Sequence, residues 1–264
     1  MELKPVFEKL ISNALAKNPE QPGDFTGKNG LLCCGVCGEP KRSRVFNLGQ
    51  SYVVPVWCRC IRERKQAEEN NARATEIERR RAETFSDPGM RRVTFRLDDS
   101  ADTEASQTAK RYAANFDPED NRWLLFHGGC GTGKSFLAAC IANEVIDRGY
   151  TVKFTNMAEI EQRLWAAYDK SEVYASLKRC DLLIIDDLCA ERQTEYMNEI
   201  TFNVIDGRYR SGKPMIVTAN LTAEQLIAPA ELSQQRIFSR LCQYSKAVYM
   251  NGDDRRQQAL LTRR

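Results

Sequence analysis

Two groups of residues in this sequence have types and spacings that do chemistry. The first is Gly128-Gly-Cys-Gly-Thr-Gly133-Lys134-Ser135, a glycine-rich run whose backbone can curl so that successive N–H groups face one anion at a helix N-terminus. Lys134 would then neutralise the β- and γ-phosphate oxygens of ATP, and Ser135 would give a hydroxyl to Mg2+. Phosphate contacts are therefore expected from Gly128, Gly129, Cys130, Gly131, Thr132, Gly133, Lys134, Ser135 and Phe136. Such a loop needs an acid opposite it, and Leu182-Leu-Ile-Ile185-Asp186-Asp187 ends an apolar run in two. Asp186 is expected to hold the magnesium, usually through water, and Asp187 to orient or deprotonate the attacking water. An acid after an apolar run is often only a helix cap; about 50 residues beyond a phosphate loop it gains meaning.

The second group is Cys33-Cys34-Gly-Val-Cys37, followed after 20 residues by Cys58-Arg-Cys60. Four thiolates at this spacing suit a tetrahedral Zn2+ site. Cys34, Cys37, Cys58 and Cys60 are the expected ligands, with Cys33 as the alternative to Cys34; the two-residue spacing of Cys34 and Cys37 is the commoner chelate. Ordinary buried cysteines are the competing reading, which five in 28 residues disfavours. The other five (Cys130, Cys140, Cys180, Cys189, Cys242) stand singly in or beside predicted core elements and read as mostly structural thiols.

These residues need elements to position them. Short apolar strands at 123–127, 151–155, 181–186, 214–218 and 246–250 alternate with helical segments, which predicts a parallel sheet covered on both faces. The phosphate loop would follow the first strand, with Phe136 to Val145 as its helix. Ahead of this domain, Arg44 to Trp57 reads as a β-hairpin centred on Gly49-Gln50-Ser51. Residues 1–17 show an amphipathic helical stripe that needs a partner, in this chain by default. Ile61 to Thr84 lacks Pro and Gly and has sparse apolar positions, as a largely solvated helical linker would. The expected organisation is a helix and zinc module over 1–60, a charged helical linker over 61–92 and an ATPase domain over 93–264.

Composition narrows the class. The chain has 264 residues, 42% hydrophobic and 28% charged, and a net charge of +3, enough apolar material for one sizeable core and a small appendage. Residues 1–92 hold 17 Lys+Arg against 12 Asp+Glu, a basic bias that suits a DNA- or partner-binding appendage as well as a solvated surface. No stretch is long and apolar enough for a membrane span or a signal peptide, so a cytoplasmic location is expected and no membrane partner. The sole histidine, His127, reads as structural.

From about Phe85 onward the sequence resembles the DnaC/IstB family of AAA+ ATPases. The likeness rests on the loop at 128–135, the acids at 186–187, Lys213-Pro-Met-Ile-Val-Thr-Ala-Asn220, and Gln235-Arg236-Ile-Phe-Ser-Arg240-Leu241. The resemblance implies an α/β AAA+ fold with a parallel sheet flanked by helices, and zinc-bearing regions resembling the cysteine cluster occur ahead of the ATPase domain in such proteins. It implies that Asn220 is the sensor near the γ-phosphate, that Arg240 is an arginine finger facing a neighbouring subunit with Arg236 in support, and that Arg256 in Asp253-Asp-Arg-Arg256 is a second sensor. It also implies self-association, single-stranded DNA and a replicative helicase as partners; an IstB-type helper that binds DNA and recruits a transposase is the alternative. The paired aspartate departs from the Asp-Glu of most AAA+ proteins, which implies slow hydrolysis. A small-molecule phosphotransferase would need no trans arginine, and a zinc-bearing DNA-binding switch would show negligible turnover. DNA contacts are expected among Arg163, Trp165, Tyr168, Lys170 and Tyr174, where cations and aromatics interleave, although the helical spacing of Trp165 with Leu164 and Tyr168 favours packing.

Overall fold

The computed structural model describes residues 3–47, 49–189, 194–229, 232–252 and 254. It divides into two units, Met1–Thr75 and Glu76–Arg264. The division falls inside a long helix.

In the first unit, α1 (Leu3–Ala16) lays part of its apolar stripe on a hairpin, where Phe7 meets Tyr52 edge-on at 5.2 Å. Val6 and Leu10 of the same helix remain largely exposed. Short strands β1 (Phe25–Thr26) and β2 (Leu32–Cys33) pair antiparallel, as do β3 (Arg42–Asn47) and β4 (Gln50–Pro55). Gly49 turns between the last two at φ 73°, the left-handed backbone that tight hairpins need. The ammonium of Lys41 is buried; it pairs with Asp24 and donates to the Pro19 carbonyl at 2.9 Å. Asp24 in turn accepts the N–H of Gly35 at 3.1 Å, so one ion pair ties the loops that carry the first cysteines. These contacts hold the Asp24 carboxyl down at a pKa of about 2, with the Lys41 bond the largest cause.

Helix α2 (Arg59–Thr84) follows. Its ladder of Arg and Glu at i, i+3 and i+4 is mostly exposed, as its composition predicts. Its last turns are not solvated, contrary to expectation. Ile77 joins the core of the second unit, Thr84 is buried with its hydroxyl on the Val152 carbonyl, and Arg81 pairs with Asp147 at 2.6 Å.

Two 3-10 turns (Met90–Arg92 and Phe95–Leu97) lead to α3 (Glu104–Ala114), capped by Thr103. Then strands and helices alternate: β5 (Trp123–Gly128), α4 (Lys134–Asp147), β6 (Val152–Thr155), α5 (Met157–Ala166), α6 (Lys170–Arg179), β7 (Leu182–Leu188), α7 (Glu195–Ser211), β8 (Met215–Ala219), α8 (Ala223–Ile227), α9 (Leu232–Tyr244) and β9 (Ser245–Met250). Asn156, Asp169, Thr194 and Thr222 cap their helices by accepting backbone N–H groups. The five strands form one parallel sheet in the order β6-β7-β8-β5-β9.

Both faces of this sheet are covered, which is why its central strands read as unbroken apolar runs. Leu125, Leu183, Ile185, Met215 and Val217 share one face and pack with residues of α5, α6, α7 and α9. Leu124, Phe126, Leu182, Ile184 and Ile216 share the other and pack with residues of α3 and α4. Of the five scattered cysteines, Cys140 and Cys180 are buried as expected, whereas Cys130 and Cys242 are exposed. Cys130 lies in a loop and Cys242 on an outward position of α9, so neither contributes to the core. No helix among the described residues is long and apolar enough to cross a membrane.

Candidate nucleotide site and cysteine cluster

The loop between β5 and α4 is shaped by its backbone. Gly128 and Gly131 take φ 133° and 72°, and Gly133, at φ 98°, precedes the helix. A β-carbon at Gly128 would overlap the Met250 carbonyl, and one at Gly131 would overlap the carboxylate of Asp254. Only glycine fits the loop at these two points. Lys134 opens α4 with a buried side chain whose ammonium arches back to the carbonyls of Gly128 at 3.2 Å and Gly129 at 2.5 Å. Thr132 closes the turn by donating to Gly129 O at 3.0 Å. A cradle of backbone groups with one cation at a helix N-terminus fits a phosphate chain.

Because β8 lies between β5 and β7, the ends of all three strands converge. At the end of β7 the pairing with β8 slips between Ile185 and Leu188, a bulge of the kind that re-aims side chains beside active sites. Asp187 takes φ 53° and Cys189 φ 70°. Thr218 holds this irregularity in place. Its hydroxyl donates to Asp186 Oδ1 at 2.7 Å and accepts the Asp187 N–H at 2.8 Å. Asn220 Nδ2 donates to Asp187 Oδ1 at 2.5 Å. Asp186, Asp187 and Asn220 are thus one connected network. Thr218 was not among the expected site residues; the signal for it was its position two residues before Asn220 in the Met-Ile-Val-Thr-Ala-Asn run, where strand alternation puts both on one side. Ser135 sits one residue into α4, half-buried. His127 is buried, with Nδ1 on the Leu221 carbonyl at 3.3 Å.

Arg240 and Arg236 are not part of this network. Arg240 pairs with Asp206 of α7, its guanidinium 4.8 Å from the Phe202 ring, and Arg236 is exposed. Arg256 lies outside the described residues. On α5, Leu164 is buried but Trp165 is 73% exposed, against the packing role its spacing suggested. Its ring meets Tyr196 edge-on at 6.1 Å, and Tyr168, just past the end of α5, is fully exposed.

In the first unit the sulfurs of Cys34, Cys37, Cys58 and Cys60 all lie within 4.8 Å of one another. Thiolates around a zinc ion, each at ~2.3 Å, stand roughly 3.8 Å apart, so this donor set fits the ion. Cys33 points elsewhere, toward the Leu31 carbonyl at 3.6 Å. Gly38 at φ 73° turns the chain after Cys37. Backbone N–H groups of Cys60 and Glu39 face the Cys37 sulfur and bring its pKa down to about 6. Glu39 also accepts the Arg59 N–H at 2.6 Å, which ties the first cysteine pair to the start of α2 where the second lies.

A phosphate loop after one strand of a parallel sheet, with an acid pair ending a strand one position removed, defines a P-loop ATPase of the AAA+ class. The family of IstB-like ATP binding proteins matches residues 63–262, and the chain belongs to that family. It is 27% identical over 190 residues to the replicative helicase loader DnaC of Escherichia coli, covering 67% of this chain and 74% of that one. A Sinorhizobium fredii protein described as an insertion sequence ATP-binding protein is 31% identical over 147 residues, covering 54% of this chain and 49% of its own. Among solved structures, DnaI superposes with a TM-score of 0.56 at 24% identity, covering 65% of this chain and 95% of that one. The DnaC helicase loader superposes at 0.54 with 20% identity, covering 62% and 100%. These superpositions concern the fold.

Proposed function

We propose that this ATPase loads a replicative DNA helicase onto single-stranded DNA. The observation that carries the reading is the likeness to DnaC, which spans three quarters of that loader; the insertion-sequence relative is matched over only half its length. Lys134 and the loop amides bind the phosphates of ATP, and Ser135 and Asp186 hold the magnesium ion. When bound, that ion neutralises charge on the phosphate oxygens. Asp187 orients the attacking water, and Asn220, bonded to Asp187, senses the γ-phosphate. Arg240 serves the neighbouring subunit's site with Arg236 in support, which requires it to exchange Asp206 for a phosphate oxygen, and Arg256 completes the site as a second sensor. Hydrolysis is thereby linked to self-association. The exposed Trp165 and Tyr168, with Arg163 and Lys170 close by in sequence, offer stacking faces and cations to single-stranded DNA. Zinc on the four cysteines orders the first unit, the part that engages the helicase.

The test is a loading assay with the full chain, the replicative helicase of the same cell, ATP and circular single-stranded DNA covered by single-strand-binding protein. Release of an annealed oligonucleotide should depend on the chain and be lost with Lys134→Ala. Equal unwinding with and without the chain refutes the reading. The IstB-type alternative is supported by the family match; it predicts ATP-dependent oligomers on duplex DNA that recruit a transposase.

A further inference from the structure

The starts of β5 and β9, together with α3, enclose a cleft of about 370 Å³. It lies at the other end of β5 from the phosphate loop, on the order of 17 Å away by the rise of that strand. Nothing in the ATPase reading uses it.

Its rim is positively charged in an unusual way. Arg111 of α3 and Lys246 of β9 both point at the hydroxyl of Thr108, each at 3.4 Å. Neither has a carboxylate partner among the described residues. The two charges are therefore no more than about 7 Å apart, close enough to repel one another. A third cation at the rim, Arg122, does have a partner, Asp120 at 2.5 Å. A shared anion would relieve the repulsion between Arg111 and Lys246, and Thr108 would donate to the same anion.

The walls have a different character. Tyr112, Trp123 and Tyr244 line the cleft, and Tyr244 belongs to a cluster of tilted rings, with Trp123 at 5.8 Å and Tyr209 at 4.7 Å. A further flat ring can pack against such a cluster. The Asn121 carboxamide also lines the cleft, and its buried Oδ1 meets no donor among the described residues. It is an acceptor that lacks an N–H or O–H. The ligand these groups ask for combines an anion, a planar ring and a hydrogen-bond donor.

We propose that this cleft is a second nucleotide-binding site, in which Arg111 and Lys246 hold a phosphate, Tyr112 and Tyr244 stack on the base, and Asn121 Oδ1 accepts from an amino or hydroxyl group. The shared chemistry is one nucleotide unit, whether free or within a nucleic-acid strand. The site is independent of ATP hydrolysis at the phosphate loop.

The test uses the full chain carrying Lys134→Ala, so that labelling at the phosphate loop is suppressed. Azido-labelled adenosine monophosphate is photo-crosslinked, and the labelled peptides are mapped by mass spectrometry. Label is expected on peptides that contain Tyr112 or Tyr244. The exchange Arg111→Glu with Lys246→Glu should reduce it by ~10-fold or more. Both side chains are exposed; in an otherwise wild-type chain this double exchange should leave ATP turnover at the phosphate loop unchanged, which verifies the fold. Competition then identifies the source. Displacement of the label by single-stranded oligothymidylate, with weaker and less salt-dependent oligonucleotide binding in the double variant, assigns the cleft to a strand. Displacement by adenosine monophosphate alone assigns it to a free nucleotide. Label confined to other peptides, or labelling unchanged by the double charge reversal, overturns the proposal.

Discussion

The residue on which the acid network turns is Thr218, 1% exposed and bonded to Asp186 on one side and to Asp187 on the other. Thr218→Val keeps the shape of the side chain and removes the hydroxyl. Losing a hydrogen bond to a carboxylate costs about 1.5–3 kcal/mol, and leaving the Asp187 N–H without an acceptor costs about 1–3 kcal/mol. Part of each loss is regained as the site relaxes, so a net destabilisation of about 3 kcal/mol is expected, equivalent to roughly 6–12 °C in Tm for a unit of this size. The catalytic effect should be larger than the structural one. Asp187 at φ 53° is held in an uncommon conformation by this bond and by Asn220. Once the backbone tie is gone its carboxylate drifts, and displacement by about 1 Å typically costs ~10²-fold in rate. Phosphate release measured at saturating ATP should fall by that factor, while ATP affinity, set by the loop at 128–135, changes little. Thr218→Ser keeps the hydroxyl and should retain most of the wild-type kcat. If Thr218→Val turned over and melted like the wild type, Asp187 would be held by something other than this tie, and the reasoning would fail.

Three further outcomes are expected. Lys134→Ala should abolish ATP binding or turnover with the fold intact, and mixing it with Arg240→Ala should restore some of the DNA- or assembly-dependent hydrolysis that Arg240→Ala alone loses by ~10³-fold; absence of rescue, with Arg240→Ala as active as wild type, rules out a trans finger. Metal analysis of protein prepared under reducing conditions without chelators should find about one zinc per chain, lost when Cys37 and Cys60 become Ser; zinc-free protein with an intact first unit counts against the site. The Asp24 carboxyl, lowered from 3.8 to about 2 by Lys41, contributes stability that is fully present above about pH 4 and is lost as pH falls toward 2. Asp24→Asn should therefore lower the calorimetric Tm at neutral pH, with the deficit narrowing between pH 4 and pH 2; a deficit constant over that interval would mean that the pair does not hold the unit together.

Much of this was legible before any coordinates. The phosphate loop and its acids could be read because phosphate binding restricts residue type at fixed spacing, and the sheet because strands buried on both faces admit few polar residues. The cluster of four cysteines was readable for a similar reason, since a shared metal ion would fix their spacing. Thr218 was harder, because a threonine inside a strand is ordinary and its role comes from a slip in register between two strands far apart in sequence. Trp165 misled in the opposite direction: helical spacing with Leu164 suggested packing, but the buried stripe of α5 is only wide enough for Met157, Ile160 and Leu164. The pairing of Arg240 with Asp206 joins two helices through tertiary packing, and no local pattern announces it. The cleft bounded by Arg111 and Lys246 likewise brings together residues 135 positions apart.

The backbone at Asp187 also bears on which side chains the position accepts. A positive φ is tolerated by Asp and Asn, whose short polar groups can bond locally, and is costly for longer side chains. The paired aspartate in place of Asp-Glu is thus consistent with the bulge at the end of β7. Asp187→Asn would leave that conformation, the bond from Asn220 and the tie to Thr218 in place while removing the charge that, in the proposed mechanism, orients the attacking water. Such a chain would hold ATP without consuming it, and assemblies that form only in the ATP state would accumulate on it long enough to be isolated and imaged.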